Sequence, residues 1–291
     1  MGKKVVIIGA GISGLSAGIY ALQAGYSVEI YEKNKMPGGE CTGWNRQGYH
    51  IDNCIHFLVG CNKDEQLYKM WENLGVISDS LKIYREPYFY CMSMDGITLH
   101  LWRDLEKARK EFLELAPEDY KELNLFFDCA KTLECVKPPC DYSIAHMNPL
   151  QFIKLGMSMK DASKAIKEYG KQPMEEFVNR FKNHYIREMF KNYFNSNFNA
   201  LSFVASYAFF TSNTAAIPEG GSVGLVGRML AKFESLGGKL HLGINIVKIN
   251  IVDSQVVSIL GNNGEVIKSD NYIWCADPHY LFYDLIGEKY L

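Results

Sequence analysis

The start of the chain restricts its fold more than any other segment. Lys4 to Ile8 is a short β-branched run of the kind that forms a buried parallel strand. Gly9-Ala10-Gly11-Ile12-Ser13-Gly14 follows without a spacer. The apolar spacing then predicts a helix from about Ile12 to Ala24, with Leu15, Ile19 and Leu22 on one face and Gly25 as the stop. Ser27 to Tyr31 reads as a second strand with Glu32 at its end. Gly9 suits the tight turn out of the strand, Gly11 lets a pyrophosphate approach the backbone, and Gly14 lets the helix pack close to the strand. The helix start offers free N–H groups and a positive dipole end to phosphates. Glu32 is placed to accept ribose hydroxyls and would repel a 2′-phosphate, which disfavours NADP. A ligand-free Gly-rich turn is the simpler alternative. The order strand, glycines, helix, strand, acid argues against it, with the acid near the expected distance of about 20 residues. This unit alone does not separate FAD from NAD.

The residues that follow are more selective. Glu32 to Gly39 (EKNKMPGG) ends in paired glycines, and Gly43-Trp44-Asn45-Arg46-Gln47-Gly48-Tyr49-His50-Ile51-Asp52 lies beyond. A second block, Ile217-Pro218-Glu219-Gly220-Gly221-Ser222, precedes a helix expected around Val226 to Leu236 and stopped at Gly237-Gly238. Strands are expected at about Lys239 to Ile249 and Gln255 to Leu260. The turn at Gly261 to Gly264 and then Asp270 lead to an apolar run at Tyr272 to Ala276. Together these blocks resemble the phytoene desaturase, carotenoid isomerase and amine oxidase superfamily of flavoproteins, most of all its bacterial phytoene-desaturase-like oxidoreductases.

The resemblance implies an α/β fold: a Rossmann-type FAD/NAD(P)-binding domain with an inserted, largely helical α+β substrate domain. Residues 1–82 and 217–291 would form the discontinuous FAD-binding domain and 83–216 the insert. FAD is the implied cofactor. Its contacts would be Gly9, Gly11, Ile12, Ser13, Gly14, Glu32, Lys33, Gly38, Gly39, Ile246 and Ala276. The backbone at Ile246 would face the adenine. Two departures stand out. The family has Arg after the paired glycines where this chain has Glu40, and an acid near a pyrophosphate is unfavourable unless it points away or is paired. The family also closes its flavin site with a Gly-rich segment that does not occur before Leu291. The expectation drawn from this is that ADP-side contacts hold while ring contacts are poor. The chain would then purify with little flavin, and uncovered apolar surface would favour self-association or a partner chain.

Composition narrows the setting. Hydrophobic residues make up 47% and charged residues 22%, which is globular, and a net charge of −2 gives no phosphate-tracking surface for nucleic acid. The lysines between Lys154 and Lys191 are interleaved with Glu168, Glu175 and Glu176 and read as solvated helix faces. The Lys3-Lys4 start and apolar run mimic a signal peptide, yet Gly9, Gly11 and Gly14 break the run. Position 6 is Val, so a myristoylation signal is lacking. No stretch of about 18 apolar residues occurs. A cytoplasmic protein is expected. The eight cysteines include no CxxC pair and no zinc spacing, so no metal is expected. Cys54 and Cys61 invite reading as a redox pair, but their spacing is not that of a redox motif, and inert thiols are the reading adopted.

Asp95-Gly96 marks a hairpin between Tyr88–Met94 and Ile97–Trp102. Helices are expected from Asp104 to Leu115, from Glu118 to Val136, and through most of Pro149 to Phe210. Phe181, Tyr185, Phe190, Tyr193, Phe194, Phe198, Phe203, Tyr207, Phe209 and Phe210 crowd the insert. Most suit an ordinary helical core, and a minority would line an apolar substrate tunnel. Met147 to Met159 mixes apolar residues with lysine. A partly buried helix is the reading preferred over peripheral membrane contact. His50 and His56 lie near the expected flavin region, and His56 is the candidate catalytic residue. The function expected is FAD-dependent oxidation of a small apolar unsaturated molecule. The alternatives are a flavin amine oxidase, a redox-neutral carotenoid-type isomerase, or a non-catalytic nucleotide-binding fragment that needs a partner chain.

Overall fold

The structure is a computed structural model that describes residues 2–137, 140 and 144–290. The chain divides into two compact units. One comprises the chain through His56, Trp71–Lys82, and everything from Pro218 on. The other comprises Phe57–Met70 and Ile83–Ile217.

The first unit is built on a four-stranded parallel sheet. Strand β1 (Lys4–Ile8) lies inside it, paired with β2 (Ser27–Glu32) on one side and with Asn271–Trp274 on the other. Both faces of β1 are covered, which explains its continuous apolar sequence: Val5, Val6, Ile7 and Ile8 are all buried. Lys239–Leu242 adds the outer strand beside β2. Helix α1 (Ile12–Gln23) buries Leu15 and Ile19. It comes so close to the Gly221–Ser235 helix that a Cβ on Gly18 would meet the Phe233 ring at 2.8 Å. A Cβ on Gly238 would strike the same ring, so Phe233 fills a slot bounded by two glycines.

Two elements differ from the sequence expectation. The strand expected from Lys239 to Ile249 is broken at Gly243, whose φ of +73° turns the chain. The amides of Gly243 and Ile244 donate to the Asn34 and Glu32 carbonyls there, and Ile246–Val252 then joins a separate antiparallel sheet with Gln255–Gly261 and Val266–Ile267. The helix expected from Val226 starts earlier, at Gly221. Its first turn gains an external cap, because Asp52 accepts a hydrogen bond from the Ser222 amide at 3.0 Å. Asp52 ends the hairpin formed by β3 (Gly43–Arg46) and β4 (Tyr49–Asp52).

The second unit contains the hairpin Tyr88–Met94 with Ile97–Trp102, turned at Asp95 and Gly96, and a set of helices. Phe57–Met70, placed by sequence with the first domain, packs here. Leu58 and Ala216 exchange backbone hydrogen bonds, and the Gly60 and Cys61 amides donate to Thr214. The core is aromatic: Phe112, Phe126, Phe127, Phe177, Phe190, Phe203 and Tyr207 are fully buried. Of the aromatics flagged in the insert, Phe181, Phe190, Phe203, Tyr207 and Phe210 are core, while Phe198 is exposed. The Tyr207 hydroxyl is satisfied by the Trp102 carbonyl at 2.8 Å. The Pro149–Ser158 helix corrects an expectation. It is capped by an Asn148–Gln151 capping box, yet it buries no residue, and Leu150, Phe152, Ile153 and Met157 are all exposed.

Two stability predictions follow from this packing. Phe233→Ala empties the glycine-bounded slot and should lower unfolding free energy by about 3–5 kcal/mol in urea titrations. Asp52→Ala removes the helix cap and should lower it by about 1 kcal/mol. Loss of less than about 1 kcal/mol for Phe233→Ala would mean that the slot collapses freely.

Candidate dinucleotide site

The site begins where β1 ends. Gly9 has a φ of +104°, and its amide donates to the Tyr31 carbonyl at 2.8 Å. A side chain at Gly9 would also press on the Cys275 carbonyl. Residue 10 contributes its backbone. The Ala10 amide donates to one Glu32 carboxylate oxygen at 2.8 Å, and the Asn34 amide donates to the other at 2.9 Å. Glu32 is only 5% exposed and is therefore fixed in place. Each of its oxygens accepts one amide, which leaves further acceptor capacity on the carboxylate.

The glycine pair closes the other side. The Gly38 amide donates to the Ala10 carbonyl at 2.9 Å, and Gly11 and Gly38 form an isolated parallel bridge. Gly14 is held by packing, because a Cβ there would collide with the Gly9 carbonyl oxygen. Gly11 differs from both Gly9 and Gly14. Its φ of −75° and ψ of −176° suit any residue, and a Cβ there would come no nearer than 3.8 Å to Gly39. Neither backbone conformation nor packing requires glycine at this position. Gly11 is also the N-cap of α1 and has no side chain to cap it, so the first-turn amides at Ile12 and Ser13 are left for an external acceptor.

Hydrogen bonds and close backbone contacts therefore bring Gly9, Gly11, Gly14, Glu32, Gly38 and Gly39 together. Ala276 follows Cys275 against Gly9 and is exposed. Ser13 is exposed and lies beside the Cys275 thiol. Lys33 and Glu40 are exposed. Ile246 is buried in a cluster with Val6, Ile8 and Tyr31, and its carbonyl accepts a hydrogen bond from the Tyr280 hydroxyl at 3.4 Å. The two histidines diverge. His50 is held between Asn45 (2.9 Å) and Asp52 (3.5 Å), whereas His56 is exposed and has no hydrogen-bond partner among the described residues. Residue-type reasoning missed the amides of Ala10 and Asn34, because a backbone donor leaves no mark in a sequence. Among the described residues no cluster of His, Cys, Asp or Glu could hold a metal ion, and no helix is long and apolar enough to cross a membrane.

Comparisons with known proteins bear on the fold and the relatives of the chain. Residues 7–74 match the family described as an NAD(P)-binding Rossmann-like domain. The chain is 22% identical to a lycopene-forming phytoene desaturase of Paracoccus sp. over 98% of its own length and 57% of the relative's. It is 24% identical to a 4,4'-diaponeurosporene oxygenase of Staphylococcus aureus over 94% of its length and 55% of the relative's. It thus spans a little over half of these relatives. Among solved structures, the PF1083 protein of Pyrococcus furiosus superimposes with a TM-score of 0.62 at 17% identity, covering 99% of this chain and 62% of that one. A putrescine oxidase superimposes at 0.56 and 18% identity, covering 99% of this chain and 60% of that one. At these identities the structures speak for the fold alone. In motif, fold and relatives the chain is similar to the Rossmann-type flavoprotein oxidoreductases that include the phytoene desaturases.

Proposed function

We propose that this chain binds FAD through the Gly9–Gly14 loop and acts in the oxidation of an apolar, unsaturated molecule of carotenoid type. Gly11 carries the first half of the proposal. It is a glycine that the fold does not need, at an uncapped helix start facing the Gly38–Gly39 turn. Open space there fits a pyrophosphate, which a side chain would displace. In this reading Ile12 and Ser13 would donate their amides to the phosphates, and Glu32 would receive the ribose hydroxyls. Lys33, Gly38 and Gly39 would flank the phosphates, with Ile246 and Ala276 at the periphery. FAD bound there would supply a hydride acceptor, leaving the protein to bind, orient and exclude water.

The second half rests on the relatives, whose names specify phytoene desaturation and diaponeurosporene oxygenation. The first unit would hold the cofactor, and the second, with its aromatic helical core, would hold the substrate. An apolar polyene dissolves in membranes. The exposed Leu150, Phe152, Ile153 and Met157, with Lys154 among them, suit a cytoplasmic protein that rests this helix in a membrane surface.

These assignments have separate tests. Gly11→Val should weaken FAD and ADP binding on the order of 100-fold by calorimetry, with the unfolding midpoint unchanged. Equal affinity in the variant would remove the assignment. Under anaerobic conditions phytoene-type polyenes should bleach the flavin absorbance and putrescine should not; the reverse result would favour amine oxidation. The double variant Phe152→Glu/Ile153→Glu should lose cosedimentation with phosphatidylglycerol vesicles. Unchanged cosedimentation would show that this helix is not the contact.

A further inference from the structure

The β3–β4 hairpin sets two thiols near each other just beyond its base. The register pairs Arg46 with Tyr49, Asn45 with His50, Trp44 with Ile51 and Gly43 with Asp52. One step further, the Asn53 amide donates to the Thr42 carbonyl at 2.9 Å, so the pairing continues past the named strands. The next residues along the two segments are Cys41 and Cys54. Both cysteines lie just past the end of the ladder, where Cys41 is in the turn closed by the Thr42 amide on the Glu40 carbonyl, and the Thr42–Asn53 bond keeps the two chain segments side by side. The Cys54 thiol is close enough to Cys41 to act on its titration.

The two thiols differ in access. Cys54 is exposed and Cys41 is buried. Burial first, then the neighbouring Cys54, then Asp52 and Glu40 push the Cys41 thiol up to about 11. Cys54 is thus the thiol that an oxidant reaches, and Cys41 is the one that resolves the product. The surroundings give the pair leverage. The Cys41 amide donates to the Gly38 carbonyl at 3.0 Å, and the Gly38 amide donates to the Ala10 carbonyl. On the other strand, Asp52 holds the Ser222 amide at the start of the Gly221–Ser235 helix. A covalent link at 41–54 would join the diglycine turn to that helix cap.

We propose that Cys41 and Cys54 form a reversible disulfide that staples the base of this hairpin to the diglycine turn. With hydrogen peroxide as oxidant, the Cys54 thiol is oxidised to a sulfenic acid as the peroxide O–O bond breaks and one water leaves. The Cys41 sulfur then attacks the Cys54 sulfur, the S–S bond forms, and the second oxygen leaves as water. Two thiols and one peroxide thus give one disulfide and two waters. Two equivalents of glutathione reverse it by thiol–disulfide exchange. Cys61, which the sequence sets seven residues from Cys54 without a redox spacing, belongs to the second unit. There its thiol donates to the Leu58 carbonyl at 3.2 Å, and burial pushes it up to about 11.

The test is peptide mapping of the full chain after mild peroxide treatment. Trypsin should yield Met36–Arg46 linked to Gln47–Lys63, two hydrogens lighter than the sum of the peptides, and dithiothreitol should release them. The link should vanish in Cys41→Ser and in Cys54→Ser and persist in Cys61→Ser, which separates the two cysteines of the second peptide. Oxidation should raise the melting temperature by about 5 °C in the wild type and leave Cys54→Ser unmoved. Dimedone-trapped sulfenic acid on Cys54 without the link, a link through Cys61, intermolecular dimers in place of the link, or no shift in melting temperature would each overturn the staple.

Discussion

The buried carboxylate of Glu32 is the interaction on which the rest of the first unit depends. One oxygen receives the Ala10 amide and the other the Asn34 amide, while the Glu32 carbonyl receives the Ile244 amide. A single residue thus fastens the loop leaving β1, the loop leaving β2 and the chain leaving the edge strand. Both carboxylate oxygens and the carbonyl of one buried residue accept amides from the three segments. The Gly9 amide on the Tyr31 carbonyl locks the same corner from the backbone side.

With that corner fixed, the glycines divide into two kinds. Gly9 and Gly14 answer to the protein: one has a left-handed backbone, and the other sits where a side chain would strike a carbonyl. Gly11 answers to neither demand, and the proposed pyrophosphate contact accounts for it. The same contrast appears among the amides, where those of Ala10, Asn34 and Gly38 are spent inside the fold and the first-turn amides of α1 have no side-chain cap. A loop that is rigid around an unspent set of donors is preorganised for an anion, and preorganisation reduces the ordering cost of binding.

How far the sequence reveals this depends on range. The unit from Lys4 to Glu32 is legible because strand, turn, helix and acid lie within one local pattern, and Asp95-Gly96 is legible because a two-residue turn carries its own signature. What is not legible is set by distant partners. The Ser222 amide finds its cap at Asp52, so the helix begins five residues before its apolar spacing suggests. Phe57–Met70 leaves the first unit because Leu58, Gly60 and Cys61 find hydrogen-bond partners at Thr214 and Ala216. Cys54 comes beside Cys41 through the Thr42–Asn53 pairing, a neighbourhood that linear spacing does not show. The apolar residues of Pro149–Ser158 look half-buried in sequence because composition does not show whether a neighbouring element covers a helix.

The central claim is that the loop around Gly11 and the carboxylate of Glu32 form one nucleotide site. Amide hydrogen exchange with and without saturating ADP tests it most directly, because it reads the backbone donors themselves. The account predicts slowed exchange confined to the Gly11–Gly14 amides, to residues 32–34 and to the Gly38–Gly39 turn. Protection centred elsewhere in the chain, or none at these amides under saturating ADP, would contradict it.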